Sequence, residues 1–204
     1  MKTVVLDKEN IENYIDEDWN ININWNCEIV DDIEINEWIY VNGFIKALKS
    51  IEAWWDIKAL KSIEVWWDIK ALKSIESWEY LEALGYIESW ESIKAFESIE
   101  ASESIEVSGA IEASGDIESS GSIKAWGFIE AGWYIYAWND VEVWNKYWIK
   151  SWLHIKCNWV LRFWYKAFAW ICLWKEIEEK EKTITCKKIE WWWVVEYWII
   201  FETW

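Results

Sequence analysis

Proline is absent from the 204-residue sequence, histidine occurs once, as His154, and glycine occurs only seven times. These shortages exclude a collagen-like chain and a proline-rich linker. One histidine also excludes a multi-histidine metal site. Basic residues are scarce: 20 Lys and Arg stand against 37 Asp and Glu, a net charge of −17. Nucleic-acid binding needs Lys and Arg in excess to neutralise phosphates, so no nucleic-acid partner is expected. Long apolar runs are missing, and no membrane span is expected. The aromatic segment Trp191–Ile200 contains Glu196 and reads as a strand. Val4-Val5-Leu6 is too short for a signal-peptide core, so the expected location is cytoplasmic. A phage structural particle is the other setting that lacks a cleavable signal. Cys27, Cys157, Cys172 and Cys186 are too widely spaced for a zinc ribbon or a CxxC motif. A disulfide framework is not expected either. Cys27 falls on an apolar ladder and reads as a small buried hydrophobe.

What the sequence does have is a six-residue repeat. Ile15, Ile21, Cys27, Ile33 and every sixth residue onward to Ile135 and Val141 are aliphatic or Cys, over 22 consecutive hexads without insertion. Two residues after each comes a second ladder of small or apolar residues, such as Ile23, Val41, Ala53 and Ala131, broken strongly only by Glu17. The residue between the ladders is almost always polar, as in Lys46, Glu52, Lys58 and Glu64. In–out–in over three residues is strand alternation. The remaining three slots hold turn residues or Trp. Spacings of two and six do not collect on one face of a helix, and heptads are absent. The expected fold is therefore all-β: a single-stranded parallel β-solenoid (β-helix) of hexapeptide units with a C-terminal β cap.

Three units per coil is the preferred geometry, because three faces enclose a better-filled core. The 22 hexads then give about seven coils and a rod roughly 35 Å long. From Ile45 to Ser77 the unit is doubled, IKALKS alternating with IEAWWD or IEVWWD. This period of twelve would stack identical units in a 12-residue coil, which stays open as the alternative. The small residue follows the large one by two, unlike the left-handed hexapeptide helices of acyltransferases, where it follows by four.

Four regions result: a lead-in over 1–14, the regular solenoid over 15–144, irregular terminal coils over 145–174, and a charged loop with C-terminal strands over 175–204. The ladder slips by two residues near Asn145–Trp148 and resumes at Ile149, Ile155 and Leu161. Lys175–Lys182 is a charge run. Thr183–Glu190 and Val194–Glu202 read as the two final strands, which would close the end of the rod.

Thirteen of the 24 tryptophans precede Asn145, and all but Trp38 occupy the fourth or fifth slot of a hexad. The seven glycines use the same two slots. Ser114-Gly115-Asp116 matches Trp54-Trp55-Asp56, and Trp126-Gly127 inverts Gly132-Trp133. Glycine supplies positive φ at tight corners, whereas tryptophan is the bulkiest apolar side chain. A shared slot points to a shared codon: UGA, read as glycine in some lineages and as tryptophan in others. The alternative is genuine aromatic rows able to stack on sugar rings.

The run Ile87–Gly132, with units such as IEASGD, IESSGS and IKAWGF, resembles the repeat style of bactofilins, the polymer-forming bacterial cytoskeletal proteins. It also looks like repeat proteins of gut bacteria and phages. The resemblance covers roughly 20–165 and implies a triangular core and end-to-end polymerisation.

No catalytic, cofactor-binding or metal-binding residues are expected, and the chain is not expected to be an enzyme. Glu100, Glu106, Glu112 and Glu118 recur as one solvated face, with no unique acid–base pair. His154 is expected as an exposed rim residue. No phosphate loop, EF-hand or threonine ladder for ice is present. The expected role is a structural or interaction scaffold that self-associates through its ends. The alternative is a carbohydrate-binding module using the aromatic rows.

Overall fold

The computed structural model describes residues 2–17, 20–36, 38–144, 146–169, 183–191 and 200–202. Each hexad folds as the same small piece. In Ile51–Ala53 the first and third side chains are buried and Glu52 points outward. The next three residues turn the corner. Corner backbone groups are paired between coils: the Trp54 amide donates to the Ile35 carbonyl at 2.9 Å, and the Ile51 amide donates to the Asp68 carbonyl at 3.0 Å. Three-residue strands suffice because the coils above and below satisfy the corners as well.

Successive strands turn through three faces, here called B, A and C in chain order. All inter-coil pairings are parallel, and the sheets hold 9, 11 and 9 strands respectively. Ile69 pairs in register with Ile51 below and Ile87 above. Eighteen residues therefore make one coil, and the 12-residue form is excluded. The core is the stacked column of Ile51, Ile57, Ile63 and their equivalents, lined by the Ala, Val and Ser of the second ladder.

The doubled repeat has a different purpose from the stacking of like on like. Eighteen is one and a half times twelve, so a Lys unit stacks on a Glu unit: the IKALKS units at 45–50, 57–62 and 69–74 lie on IEVWWD at 63–68, IESWEY at 75–80 and IEAWWD at 51–56 respectively. Lys58 consequently meets Glu76 at 2.6 Å, and Lys70 lies within 4.0 Å of Glu52 and 3.7 Å of Glu88. The corners follow suit, with Lys73 Nζ over the Trp55 ring at 5.6 Å.

Both ends depart from the hexad. Ile15 makes only an isolated antiparallel bridge to Ile21, so its unit is a turn, and the first rung starts at Ile21–Ile23. Thr3–Leu6 supplies a further strand, placing Val4 beside Cys27 and Leu6 beside Ile29 on face A. A 3-10 helix, Ile11–Tyr14, follows, and Ile11, Tyr14, Ile15 and Val4 pack against the core. After Val143 the pairing of Ile129 with Ile149 shows the two-residue insertion, absorbed in a corner where Lys146 takes a φ of 65°. Thr183–Glu190 contains two strands, Ile184–Cys186 and Lys188–Trp191, on faces A and C. Of Val194–Glu202, Ile200–Glu202 extends face A. These strands lie on the last coils as a cap would. Cys172, Lys175–Lys182 and residues 194–199 lie outside the described residues.

Candidate functional site

The densest cluster of reactive groups is a carboxylate ladder on face A. Glu82, Glu100 and Glu118 occupy the outward position of adjacent strands and pair directly, residue on residue. Elsewhere outward carboxylates meet cations: Lys94 with Glu112 at 3.5 Å, Lys124 with Glu106 at 3.0 Å, and Arg162 with Glu142 and Glu190 at 2.7 and 2.8 Å. On face A the regular coils offer only Lys46, 3.9 Å from Glu64. The expected common face of Glu100, Glu106, Glu112 and Glu118 is corrected here. An 18-residue coil sends Glu106 to face C and Glu112 to face B, leaving Glu100 and Glu118 together.

Burial raises the Glu100 pKa above the ordinary carboxylate range, and the charges of Glu118, Glu82 and Asp116 add to it. Asp116 is raised by burial, against the opposing hydrogen bond from the Tyr134 amide at 3.2 Å. The Tyr134 hydroxyl donates to Glu118, and its own pKa is raised by burial first and by that carboxylate second. His154 stacks flat on Tyr134, with centroids 4.9 Å apart and planes at 2°. It is half-buried, not the exposed rim residue expected. A tyrosine one coil away provides a ring to stack on, and the linear sequence does not show that neighbour.

A shallow depression of about 130 Å³ is lined by Glu82, Glu100 and Glu118, by Ser102 and Ser120 of the adjoining corner, and by Tyr136. Its carboxylates sit in equivalent rungs, and among the described residues only Glu118 of the three accepts a hydrogen bond, from the Tyr134 hydroxyl. Acid–base chemistry instead needs two groups driven apart in pKa. Among the described residues no group of three or more His, Cys, Asp or Glu is arranged to hold a metal ion.

The second feature is aromatic. The corner from face C to face B carries Trp54, Trp90, Trp126 and Trp144, interrupted by Leu72 and Ser108. Trp126 stacks on Trp144 at 6.1 Å and Phe128 on Trp148 at 5.0 Å. Trp78 and Phe96 meet at 5.4 Å on another corner. The glycines in these slots do not supply positive φ, contrary to expectation, since none of those described has it. Some are required by close approach. A Cβ on Gly109 would lie 1.7 Å from the Glu91 carbonyl oxygen, and one on Gly132 would lie 1.8 Å from that of Ser114.

Cys27 and Cys157 are buried in the core. Burial, with a smaller contribution from Glu28, pushes the Cys27 thiol up to about 12. A hydrogen bond with Cys186, one strand away, and burial raise the Cys157 thiol. Thiols held protonated in this way are poor nucleophiles and act as small core residues.

No family model matches the chain, and no curated protein or solved structure matches it either. Among the described residues no helix is long and apolar enough to cross a membrane.

Proposed function

We propose that the protein is a structural or interaction scaffold without catalytic activity, of the bactofilin repeat style, working in the cytoplasm or in a phage particle. One observation carries this reading. Every rung from Ile21–Ile23 to Val141–Val143 buries its first and third residues, and the outer surface of these coils consists of rows that repeat from coil to coil. A catalytic site instead needs a unique constellation of unlike groups.

Self-association through the ends is part of the proposal. Ile11, Tyr14 and Ile15 cover part of the core at the N-terminal end, and Ile184–Cys186 and Lys188–Trp191 lie on the last coils at the other. Identical ends meeting each other form a closed pair, whereas head-to-tail contacts propagate. Sedimentation across a concentration series should show species larger than the monomer, and a monomer at every concentration would overturn self-association.

A second reading, carbohydrate binding, is favoured by the stacked rings Trp126–Trp144 and Phe128–Trp148. Titration with a panel of oligosaccharides, read by tryptophan fluorescence, tests it. Saturable quenching that disappears in Trp126→Ala would support this reading over the plain scaffold, and a flat response would remove it.

A further inference from the structure

We infer that the natural protein carries glycine at the tryptophan positions in the fourth and fifth slots. Its gene would have UGA codons there, which the producing cell reads as glycine and which appear in this sequence as tryptophan. The inference goes beyond the scaffold reading and does not depend on it.

The other aromatic residues show where this fold accepts a ring. Between Ile21 and Val143, Tyr40 and Tyr136 occupy the second slot. Phe44, Tyr80, Tyr86, Phe128 and Tyr134 occupy the sixth, and Phe96 alone sits in the fourth. The sixth slot lets a ring fold back along the outward row: the Tyr80 hydroxyl reaches Glu64, and the Tyr134 hydroxyl reaches Glu118. The fourth and fifth slots project from the corner. The tryptophans from Trp54 to Trp138 that occupy them are 41% to 61% exposed. Tryptophan is ordinarily among the more buried side chains, with its indole N–H bonded. Selection for real aromatic residues would have put tryptophan where phenylalanine and tyrosine lie. Before Asn145 only Trp38, in the sixth slot, obeys that rule, and it keeps its tryptophan.

Glycine follows the same rule as the remaining tryptophans. Trp55, Gly109 and Gly127 stand in one column of one edge, in the same slot of different coils. Gly85 sits directly over Trp67, its amide donating to the Trp67 carbonyl at 3.1 Å. No stereochemical demand is common to the two residues: a Cβ on Gly109 would lie 1.7 Å from the Glu91 carbonyl oxygen, a closeness that no tryptophan could share. The corner takes no positive φ at the described glycines, and charged residues such as Lys73 and Glu91 fill the same column. What unites them is the codon. With glycine at 54 and 55, the unit Ile51–Asp56 becomes a strand closed by Gly-Gly, an ordinary turn dipeptide. The exposed aromatic edges vanish, and with them a large adhesive surface. The producing cell must then hold a glycine-charged tRNA that pairs with UGA, and its termination machinery must pass over that codon.

The test is the gene together with the protein from its own cell. UGA at the assigned codons, with glycine in the corresponding peptides by tandem mass spectrometry, is the expected result. UGG codons would overturn the inference, and so would UGA codons with tryptophan in the native peptides. Two synthetic genes give an independent measurement, one with glycine and one with tryptophan at those positions. The glycine form should keep the β-strand circular dichroism and be several-fold more soluble. A glycine form that loses the strand signal while the tryptophan form retains it would count against the inference.

Discussion

Glu100 lies in register on Glu118, one outward carboxylate beside the other. The same relationship holds between Glu82 and Glu100. It arises from the end of the twelve-residue alternation near Ser77, which until then places a lysine opposite most outward glutamates. Like charges directly opposed across strands destabilise a sheet.

Replacing Glu100 with Lys should therefore stabilise the rod by about 1 kcal/mol, through two half-exposed ion pairs. The pH dependence has a definite sign. The folded-state pKa of Glu100 is raised, so the folded chain binds the proton more readily than the unfolded chain. The penalty is fully present above the folded pKa and fades as pH falls through it toward the ordinary value of 4.5. Thermal melts from about pH 7 to about pH 5 should show the stability gap between Glu100→Lys and the parent shrinking. A constant gap would mean that the ladder is not the cause.

Ser151 and Ser119 occupy the same inward slot but differ in their partners. The Ser119 hydroxyl donates to the Glu103 carbonyl at 2.5 Å, whereas the buried Ser151 Oγ has no hydrogen-bond partner among the described residues. Ser151→Ala should stabilise by about 1 kcal/mol and Ser119→Ala should destabilise by a similar amount. Urea denaturation of the two variants checks the opposite signs.

Ile93 is fully buried and pairs with Ile75 and Ile111. Ile93→Asp places an unpaired carboxylate in the core and should cost roughly 4 kcal/mol or more. Damage should concentrate in the adjacent coils, since solenoid stability is a sum of neighbour terms. Lys94 is the outward control, and its neighbours decide which substitution is mild. It pairs with Glu112 at 3.5 Å and stands in register with Glu76. Lys94→Asp would line up three carboxylates, whereas Lys94→Ala should cost only about 0.5 kcal/mol. Hydrogen exchange should show protection lost around Ile93→Asp and retained in Lys94→Ala.

The fold was largely legible because it is written in every hexad. Ile51-Glu52-Ala53 states inward, outward and inward by itself, and its recurrence implies a stack. The slip after Val143 was legible too, since an inserted pair displaces all later ladder residues. The N-terminal strand was not. Val4 and Leu6 alternate correctly, but they belong to no hexad, and only their pairing with Cys27 and Ile29 reveals the rung. The carboxylate ladder was misread for a related reason. Adjacent glutamates in sequence, such as Glu100 and Glu106, are on different faces, while Glu100 and Glu118 are neighbours.

The sequence alone determined the inward and outward assignment, the six-residue strand-and-corner unit and the point of insertion. All three depend on the alternation of side chains along a strand, which is local. Only the tertiary structure decided that eighteen residues close a coil, that Lys58 meets Glu76, and that His154 rests on Tyr134. Those contacts join residues a full coil apart. The length of the coil is set by how three faces pack around one core, and no single hexad contains that information.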